Sequence, residues 1–184
     1  MSVVAIANYG AGNLRSILAA LRRLDLDASV TQDPTVIAEA DQVILPGVGS
    51  AASAMATLRN TGMETALRNR HAEGKPILGI CMGMQLAVDQ TEEDGGIACL
   101  GLVRGRCTRL RAQRVPRMGW ACVEPWGEAF YFAHSYSVNS ADTVATSEGV
   151  TAAIVAGAFT GVQFHPEKSG AAGSRFLQRC LSAA

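Results

Sequence analysis

A cysteine occupies a glycine-flanked turn between an apolar run and a helical pattern. Cys81 stands between Gly79 and Gly83, in a glycine-x-cysteine-x-glycine sequence. This pattern is typical of a nucleophile elbow, where a sharp strand-to-helix turn leaves no room for side chains on either flank. The helix N-terminus favours thiolate over thiol, and thiolate is the nucleophilic form. The alternative is a small apolar core residue beside two packing glycines.

A thiol nucleophile needs a base, and the chain contains only three histidines, His71, His134 and His165. His71 lies in a polar stretch typical of a helix end, where a histidine caps the helix or faces water. His165 begins a His-Pro-Glu sequence, so Glu167 shares its face in an extended chain. Glu167 can then hold one ring nitrogen while the other faces a substrate. The pattern predicts a Cys-His-acid triad, with a purely structural His-Glu pair as the alternative.

The first half of the chain alternates short apolar runs with helical patterns. We expect strands at residues 3–7, 28–31, 42–45 and 77–80. A helix with Asn13 as its cap is expected between the first two strands, because leucine and isoleucine recur there at helical spacing. This alternation predicts a parallel sheet with crossover helices, and a site at the carboxyl ends of its strands.

The second half reads differently, with shorter strands that favour a mixed or antiparallel region. We expect these strands at residues 104–110, 130–133, 143–146, 152–155 and 161–164, and a final helix from Ser169. The prediction is one α/β domain over residues 1–184. It has a central, mostly parallel sheet, flanking helices and an additional antiparallel or mixed strand region.

Amino-acid composition argues against several classes of protein. At 184 residues and 48% hydrophobic content, the chain can form a substantial core. The apolar run at residues 3–7 is too short for a signal peptide or a membrane span. Five cysteines without Cys-x-x-Cys spacing favour reduced thiols and a cytoplasmic location. A formal net charge of zero gives no general attraction to nucleic acid or an anionic membrane.

Cofactor signatures are incomplete. The glycine pairs at residues 10 and 12 and at 47 and 49 follow predicted strands, but neither completes a dinucleotide-binding fingerprint with its acidic residue. The sequence contains no phosphate loop of the G-x-x-x-x-G-K-[ST] type. His165-Pro166-Glu167 matches the H-x-E of zinc deaminases, yet the accompanying P-C-x-x-C is missing. We therefore expect neither a cofactor nor a metal.

A basic stretch lies between residues 104 and 117 and contains no acidic residue. Its alternation predicts a hairpin with one solvated face, and an acidic partner surface is the alternative. The arginines are Arg104, Arg106, Arg109, Arg111, Arg114 and Arg117.

Residues 79–85 together with 161–167 resemble the class I glutamine amidotransferases. The segments at 8–14, 45–49, 118–120, 132–136 and 168–170 are similar to those of the glutaminase subunits of imidazole glycerol phosphate synthases, enzymes of histidine biosynthesis. The resemblance spans nearly the whole chain in the same order. It implies the amidotransferase fold and hydrolysis of glutamine, with Cys81 as nucleophile and His165, aligned by Glu167, as acid and base.

The resemblance also implies roles around the nucleophile. The oxyanion would be stabilised by the backbone N–H of Met82 and by the loop containing Gly47, Val48 and Gly49. Glutamine would be bound by Gln85 and by the segment His134, Ser135 and Tyr136, so His134 is expected to bind substrate rather than act as the base.

A partner follows from the product, since ammonia released into water becomes protonated and loses its nucleophilicity. The resemblance implies a separate (β/α)8 barrel synthase that makes imidazole glycerol phosphate and an aminoimidazole carboxamide ribotide. The segments expected to face it contain Tyr9, Asn13, Met118, Trp120 and Lys168.

Three alternatives stay open at this point. The chain could serve another class I amidotransferase, such as anthranilate or aminodeoxychorismate synthase. It could be a non-catalytic binding subunit, or a cysteine hydrolase that acts alone.

Overall fold

A computed structural model of the protein describes residues 3–10, 12–112 and 114–181. Its largest sheet has seven strands, and five neighbouring ones run parallel. In sheet order these five are β13 (Phe159–Val162), β4 (Ile77–Ile80), β3 (Gln42–Leu45), β1 (Val4–Ala7) and β2 (Ala28–Thr31). Two antiparallel strands, β12 (Val150–Ala156) and β11 (Thr143–Ser147), extend the sheet beyond β13.

Helices cover both faces of this sheet. They are α1 (Leu14–Arg22), α2 (Pro34–Glu39), α3 (Ala51–Asn60), α4 (Met63–Ala72), the short α5 (Met82–Gln85) and α6 (Gly170–Leu181). Alternate strand residues point to opposite faces, so Ala5 packs with the core under α2, α3 and α4, and Ile6 with the core under α1 and α6. Burial on both faces explains why the parallel strands read as continuous apolar runs.

An additional mixed region is present, as the sequence predicts, and it consists of two smaller sheets. Three of the strands expected in it, β11, β12 and β13, belong to the main sheet instead, because they pair onto the edge of β4. One of the smaller sheets has four strands in the order β10 (Tyr136–Asn139), β7 (Arg106–Arg109), β5 (Gln90–Thr91) and β6 (Ile97–Ala98). The other pairs β8 (Arg117–Val123) with β9 (Glu128–His134) in antiparallel fashion. The predicted fold class is therefore confirmed.

The predicted hairpin within the basic stretch is wrong. β7 pairs with β5 and β10, whereas Arg117 begins β8, which pairs with β9. The alternation of arginines indicates a strand there, but the choice of partner depends on residues far away in sequence. Burial of Cys107 and Val138 in a common core favours the observed pairing of β7 with β10.

The strand expected at residues 161–164 is shifted by two residues. β13 ends at Val162, so the chain bends at Gln163 and Phe164 before it reaches His165. The four strands expected in the first half lie where the sequence predicts them, except that the first begins at Val4. No helix in the described part of the chain has the length and apolar character needed to cross a membrane.

Candidate active site

The turn that carries Cys81 is a single residue between β4 and α5. Cys81 adopts φ 52° and ψ −106°, a conformation that costs an L-residue about 1–3 kcal/mol. Its N–H donates to the carbonyl of Val162 over 2.7 Å, which fixes the turn to the end of the neighbouring strand β13. Such strain persists where the surrounding structure imposes it, and it turns the sulfur away from the sheet.

The two flanking glycines are required by contact distances. A Cβ atom at Gly83 would lie 1.8 Å from the carbonyl oxygen of Leu45. A Cβ atom at Gly79 would lie 2.5 Å from Cζ of Phe159 and 2.9 Å from the backbone of Gly83. The predicted elbow geometry is therefore present, and neither position has space for a side chain.

His165 and Glu167 lie beyond the end of β13, next to the elbow. The Nδ1 atom of His165 is 2.8 Å from Oε1 of Glu167, and both side chains are buried. The two do not share the face of an extended strand, as the sequence argument assumed. Glu167 instead reaches back from the short 3-10 helix Pro166–Lys168, because proline begins a turn after the extended His165.

The charge state of His165 follows from its partners. Burial alone lowers the pKa of this imidazole, but the hydrogen bonds that the ring donates to the Cys81 sulfur and the Glu167 carboxylate raise it to about 9. The imidazolium form is thus favoured at neutral pH, beside the sulfur. The structure brings all three predicted triad residues together.

A cavity of about 200 Å³ opens beside the sulfur. Its lining contains Cys81 and every residue expected to form the oxyanion site or to bind glutamine, together with Glu93, Pro116 and Ala133. A larger cavity of about 390 Å³ between β7, β10 and β12 contains none of these residues, so cavity size alone does not locate the site.

The loop between β3 and α3 packs directly on the elbow. A Cβ atom at Gly47 would lie 2.3 Å from Cβ of Met82 and 2.6 Å from the backbone nitrogen of Gly83. Met82 is the first residue of α5, so its N–H lies outside the hydrogen bonds of the helix. Gly49 adopts φ 126°, a conformation that side chains disfavour. The backbones of the loop and of the elbow therefore meet beside the cavity.

Amide side chains surround the other side of the sulfur. Nε2 of Gln163 is 3.5 Å from Sγ of Cys81. Nε2 of Gln85 donates to Oε1 of Gln163 and to the carbonyl of Tyr136, each over 3.0 Å. The thiol also lies 3.8 Å from the carbonyl oxygen of Ala133. Gln163 was not among the predicted site residues, although it lies two residues before His165 in the segment that carries the family resemblance.

Glu93 is a second residue that the sequence did not single out. It belongs to the short 3-10 helix Glu93–Gly95 and accepts a hydrogen bond from the N–H of Ala51 over 3.3 Å. Burial and the neighbouring Asp94 raise the pKa of its carboxyl group, against the effect of the Ala51 N–H. An acidic run followed by two glycines is typical of a solvated loop, so only the tertiary structure places this carboxylate in the cavity wall.

His134 lies at the end of β9 with its side chain buried. Its Nδ1 atom is 2.8 Å from the carbonyl oxygen of Tyr136. Burial, together with the nearby positive charges of Arg117 and His165, lowers the pKa of His134 to about 4 despite that hydrogen bond. The ring is neutral at pH 7, and its place in the cavity wall agrees with a binding role.

The residues expected to face a partner fall into two groups. Met118 and Trp120 on β8 are 65% and 59% exposed, and Lys168 is exposed too. Tyr9 is only 2% exposed, so its side chain offers little surface to a partner, and the role of its segment stays a prediction. Its hydroxyl donates to the carbonyl of Pro46, because Tyr9 follows β1 into the core beside the next loop, and burial raises the pKa of that hydroxyl.

Asn13 also takes an unexpected role. It precedes α1 with φ 73°, but its side chain makes no capping hydrogen bond. The amide instead donates to Oε1 of Glu167. Within residues 3–10, 12–112 and 114–181, no cluster of His, Cys, Asp and Glu side chains is arranged to hold a metal ion. All five cysteines are free thiols.

Comparison with known families agrees with this geometry. The sequence pattern of the family described as "Glutamine amidotransferase class-I" matches residues 5–184. The chain belongs to the class I glutamine amidotransferases, as its sequence predicts.

Similar proteins within this family carry a more specific name. The imidazole glycerol phosphate synthase subunit HisH of Methylococcus capsulatus is 42% identical, over 98% of this chain and 96% of that protein. The subunit of the same name from Methanothermobacter thermautotrophicus is 43% identical, over 96% of each chain.

Solved structures support the fold alone, because their sequences are distant. A structure described as a glutamine amidotransferase has a TM-score of 0.84 at 19% identity and covers 99% of this chain and 100% of its own. The PurLQS structure from Thermotoga maritima has a TM-score of 0.77 at 17% identity, over 98% of this chain and 97% of its own.

Proposed function

We propose that this chain is the glutaminase subunit of an imidazole glycerol phosphate synthase in histidine biosynthesis. It hydrolyses glutamine to glutamate and ammonia and passes the ammonia to a (β/α)8 barrel subunit. One observation carries the proposal: the Cys81 sulfur sits at a strained elbow, hydrogen-bonded to a His165 that Glu167 holds, in a cavity lined by the loop at residues 47–49. Full-length similarity to HisH subunits supports this choice of synthase.

The reaction begins after the Cys81 thiol has transferred its proton to His165. Thiolate Cys81 attacks the side-chain amide carbon of glutamine, a C–S bond forms, and negative charge moves to the amide oxygen. The N–H of Met82 and the N–H groups of the loop at residues 47–49, which line the cavity beside the sulfur, would donate to that oxygen. Close packing of Gly47 against Met82 supports this role, because it holds the loop beside the elbow.

Ammonia leaves in the second step. The imidazolium of His165 gives its proton to the departing nitrogen as the C–N bond breaks, which leaves a glutamyl thioester on Cys81. His165 then takes a proton from a water molecule that attacks the thioester, and the C–S bond breaks to release glutamate. Glu167 and Asn13 keep the imidazole in the required orientation throughout.

To bind the amino-acid end of glutamine, the protein needs both a carboxylate and hydrogen-bonding groups. Glu93 contributes the acidic side chain in the cavity lining and suits the α-ammonium group of the substrate. Gln85 and the segment at residues 134–136 form the opposite wall. These groups favour an amino acid with a side-chain amide over a simple amide.

The exposed face of β8 is suited to the partner subunit. Met118 pairs with Ala133 on β9, and the carbonyl of Ala133 lies 3.8 Å from the Cys81 sulfur. The apolar surface at Met118 and Trp120 is therefore one strand away from the site where ammonia forms. A partner docked there would receive ammonia before it reaches water.

The decisive experiment measures glutamate release with and without the barrel subunit and its ribonucleotide ligand. We expect a low basal rate, strong stimulation by the liganded partner, and near-complete loss with Cys81→Ser. Stimulation by an anthranilate synthase subunit instead would contradict the proposal. Turnover that no synthase subunit changes would favour a hydrolase acting alone.

A further inference from the structure

We propose that Gln163 is an additional catalytic residue whose side-chain amide donates a hydrogen bond to the Cys81 sulfur and stabilises its thiolate. This inference rests on the proposed function, because it deepens the role of the same nucleophile. It assigns a chemical task to a buried polar side chain that the triad and the oxyanion loop do not use.

The position of Gln163 is set by its backbone. Gln163 directly follows β13, and its N–H donates to the carbonyl of Ala152 on β12 over 2.9 Å. The side chain is fully buried and extends toward the elbow, where Nε2 lies 3.5 Å from Sγ of Cys81. That separation is within the range of an N–H···S hydrogen bond, in which the large sulfur accepts at longer distance than oxygen.

The orientation of the amide follows from a row of hydrogen bonds. The carbonyl of Tyr136 can only accept, so the nitrogen of the Gln85 amide must face it, over 3.0 Å. The same nitrogen lies 3.0 Å from the Gln163 side chain, which must therefore present its oxygen to Gln85. Reversing either amide would place two oxygens or two N–H groups against each other. The N–H group of Gln163 is thereby directed at the sulfur.

Such a donor acts differently on the two forms of the nucleophile. A hydrogen bond to a charged acceptor is about twice as strong as one between neutral groups, so the Gln163 amide favours thiolate over thiol. The carbonyl of Ala133 opposes it, since an S–H group can donate to that oxygen and a thiolate cannot. Two side chains, His165 and Gln163, donate to the sulfur and favour thiolate, whereas only the Ala133 carbonyl favours thiol.

The amide row also connects the nucleophile to the substrate cavity. Gln85 lines the cavity and holds Gln163 at the same time. The orientation of the Gln163 donor at the sulfur therefore depends on Tyr136 at the beginning of β10, a residue outside the triad.

The test measures the pH dependence of Cys81 alkylation by iodoacetamide. Mass spectrometry of the Cys81 peptide follows the reaction, because Cys122 is exposed and reacts with the same reagent. In Gln163→Leu, which removes the donor at similar volume, the pH of half-maximal rate should rise by about one unit, the size of shift that a hydrogen bond to a charged group produces. In Gln163→Glu it should rise further, because a carboxylate would then face the thiolate. At a pH well below the alkylation midpoint of the parent, partner-stimulated glutamate release should fall about tenfold in the leucine variant, in proportion to the lost thiolate.

Gln42→Leu is the matched control. Gln42 is also a buried glutamine of the central sheet, but it begins β3 at the opposite end from the site. Its Nε2 atom has no hydrogen-bond partner among the described residues. The alkylation profile of this variant should equal that of the parent, so a shift in both leucine variants would indicate a general loss of structure and overturn the proposal.

An unchanged alkylation profile in folded Gln163→Leu would also overturn the proposal. Thermal unfolding establishes which variants fold, and Gln163→Glu decides the question if the leucine variant does not, since an isosteric carboxylate without an upward shift would contradict a contact with the sulfur. The measurement needs neither glutamine nor a partner. A parent protein without glutaminase activity would therefore refute the proposed function and leave this result interpretable.

Discussion

Two buried histidines lie on different elements near one sulfur, and their pKa values are shifted in opposite directions from the ordinary value. His165, in the turn after β13, has its pKa raised to about 9, whereas His134, at the end of β9, has its pKa lowered to about 4. Burial lowers the pKa of both. Their partners make the difference, because His165 contacts a carboxylate and a thiol, while His134 contacts a carbonyl and lies near the guanidinium of Arg117.

This contrast explains why only one of the two can serve as the acid and base. An imidazole that keeps its proton at neutral pH can support a thiolate and then protonate a leaving group. An imidazole that stays neutral provides a fixed hydrogen bond in the binding wall without adding charge. The sequence shows the difference in part, since His165 has a carboxylate two residues away and His134 does not.

The largest expected effect comes from replacing each of the two histidines in turn. His165→Asn should lower partner-stimulated glutamate release by about 10³-fold or more, because acid and base catalysis are both lost. His134→Asn should lower it by about tenfold or less, since only a contact of the binding wall changes. Steady-state kinetics at neutral pH measure both. Equal losses in the two variants would break the comparison.

Removing the carboxylate should have the next largest effect. Glu167→Gln keeps the shape of the side chain but withdraws a negative charge, so the pKa of His165 should fall and glutamate release should drop by about 10²-fold. NMR titration of His165 follows the pKa directly. If that pKa stayed near 9 in the variant, the thiol rather than Glu167 would control the imidazole.

The buried His134 should make stability depend on pH. Because its folded pKa of about 4 lies below the ordinary value of 6.5, the unfolded chain binds more protons between these two values. Stability should therefore be fully present above pH 6.5 and decline as the pH falls toward 4, by up to about 3 kcal/mol from this group. Urea unfolding of the parent and of His134→Gln at several pH values measures it, and parallel pH profiles would contradict the assignment.

The smallest effect concerns Arg117, which lies opposite His134 on the neighbouring strand. Its guanidinium stacks 4.4 Å from the ring centre of Phe132 and contacts Glu148 over 2.9 Å. Arg117→Met should raise the pKa of His134 by a few tenths of a unit, since a nearby positive charge is removed and burial remains. Arg106→Met, at an exposed arginine of β7, is the control and should leave the titration of His134 unchanged.

Prediction from sequence succeeded where function is encoded locally. The elbow at Cys81 needs two glycines within five residues, and the pairing of His165 with Glu167 spans only three. The last strand is different, because the sequence assigned it to the mixed region, whereas β13 joins the central sheet beside β4. Parallel pairing of these two strands then brings the sulfur and the imidazole together.

Prediction failed where distant segments determine the outcome. Glu93 reaches the cavity because its short helix docks on the beginning of α3, 42 residues earlier in the chain. The hydroxyl of Tyr9 is buried and donates to the carbonyl of Pro46, a contact between distant segments that the sequence does not show. β7 pairs with strands that the local alternation of arginines does not identify. The exposure of Met118 and Trp120 agrees with a docking face, but the interface stays a prediction until a complex is examined.

The central claim is that Cys81 forms a covalent bond with glutamine while His165 manages the proton. The most direct measurement mixes the partner-stimulated protein with glutamine, stops the reaction in acid within one turnover, and determines the mass of the Cys81 peptide. The account predicts a glutamyl adduct on Cys81 that hydroxylamine removes and that Cys81→Ser does not form as a thioester. Glutamate production without any adduct, at a rate that Cys81→Ser preserves, would contradict it.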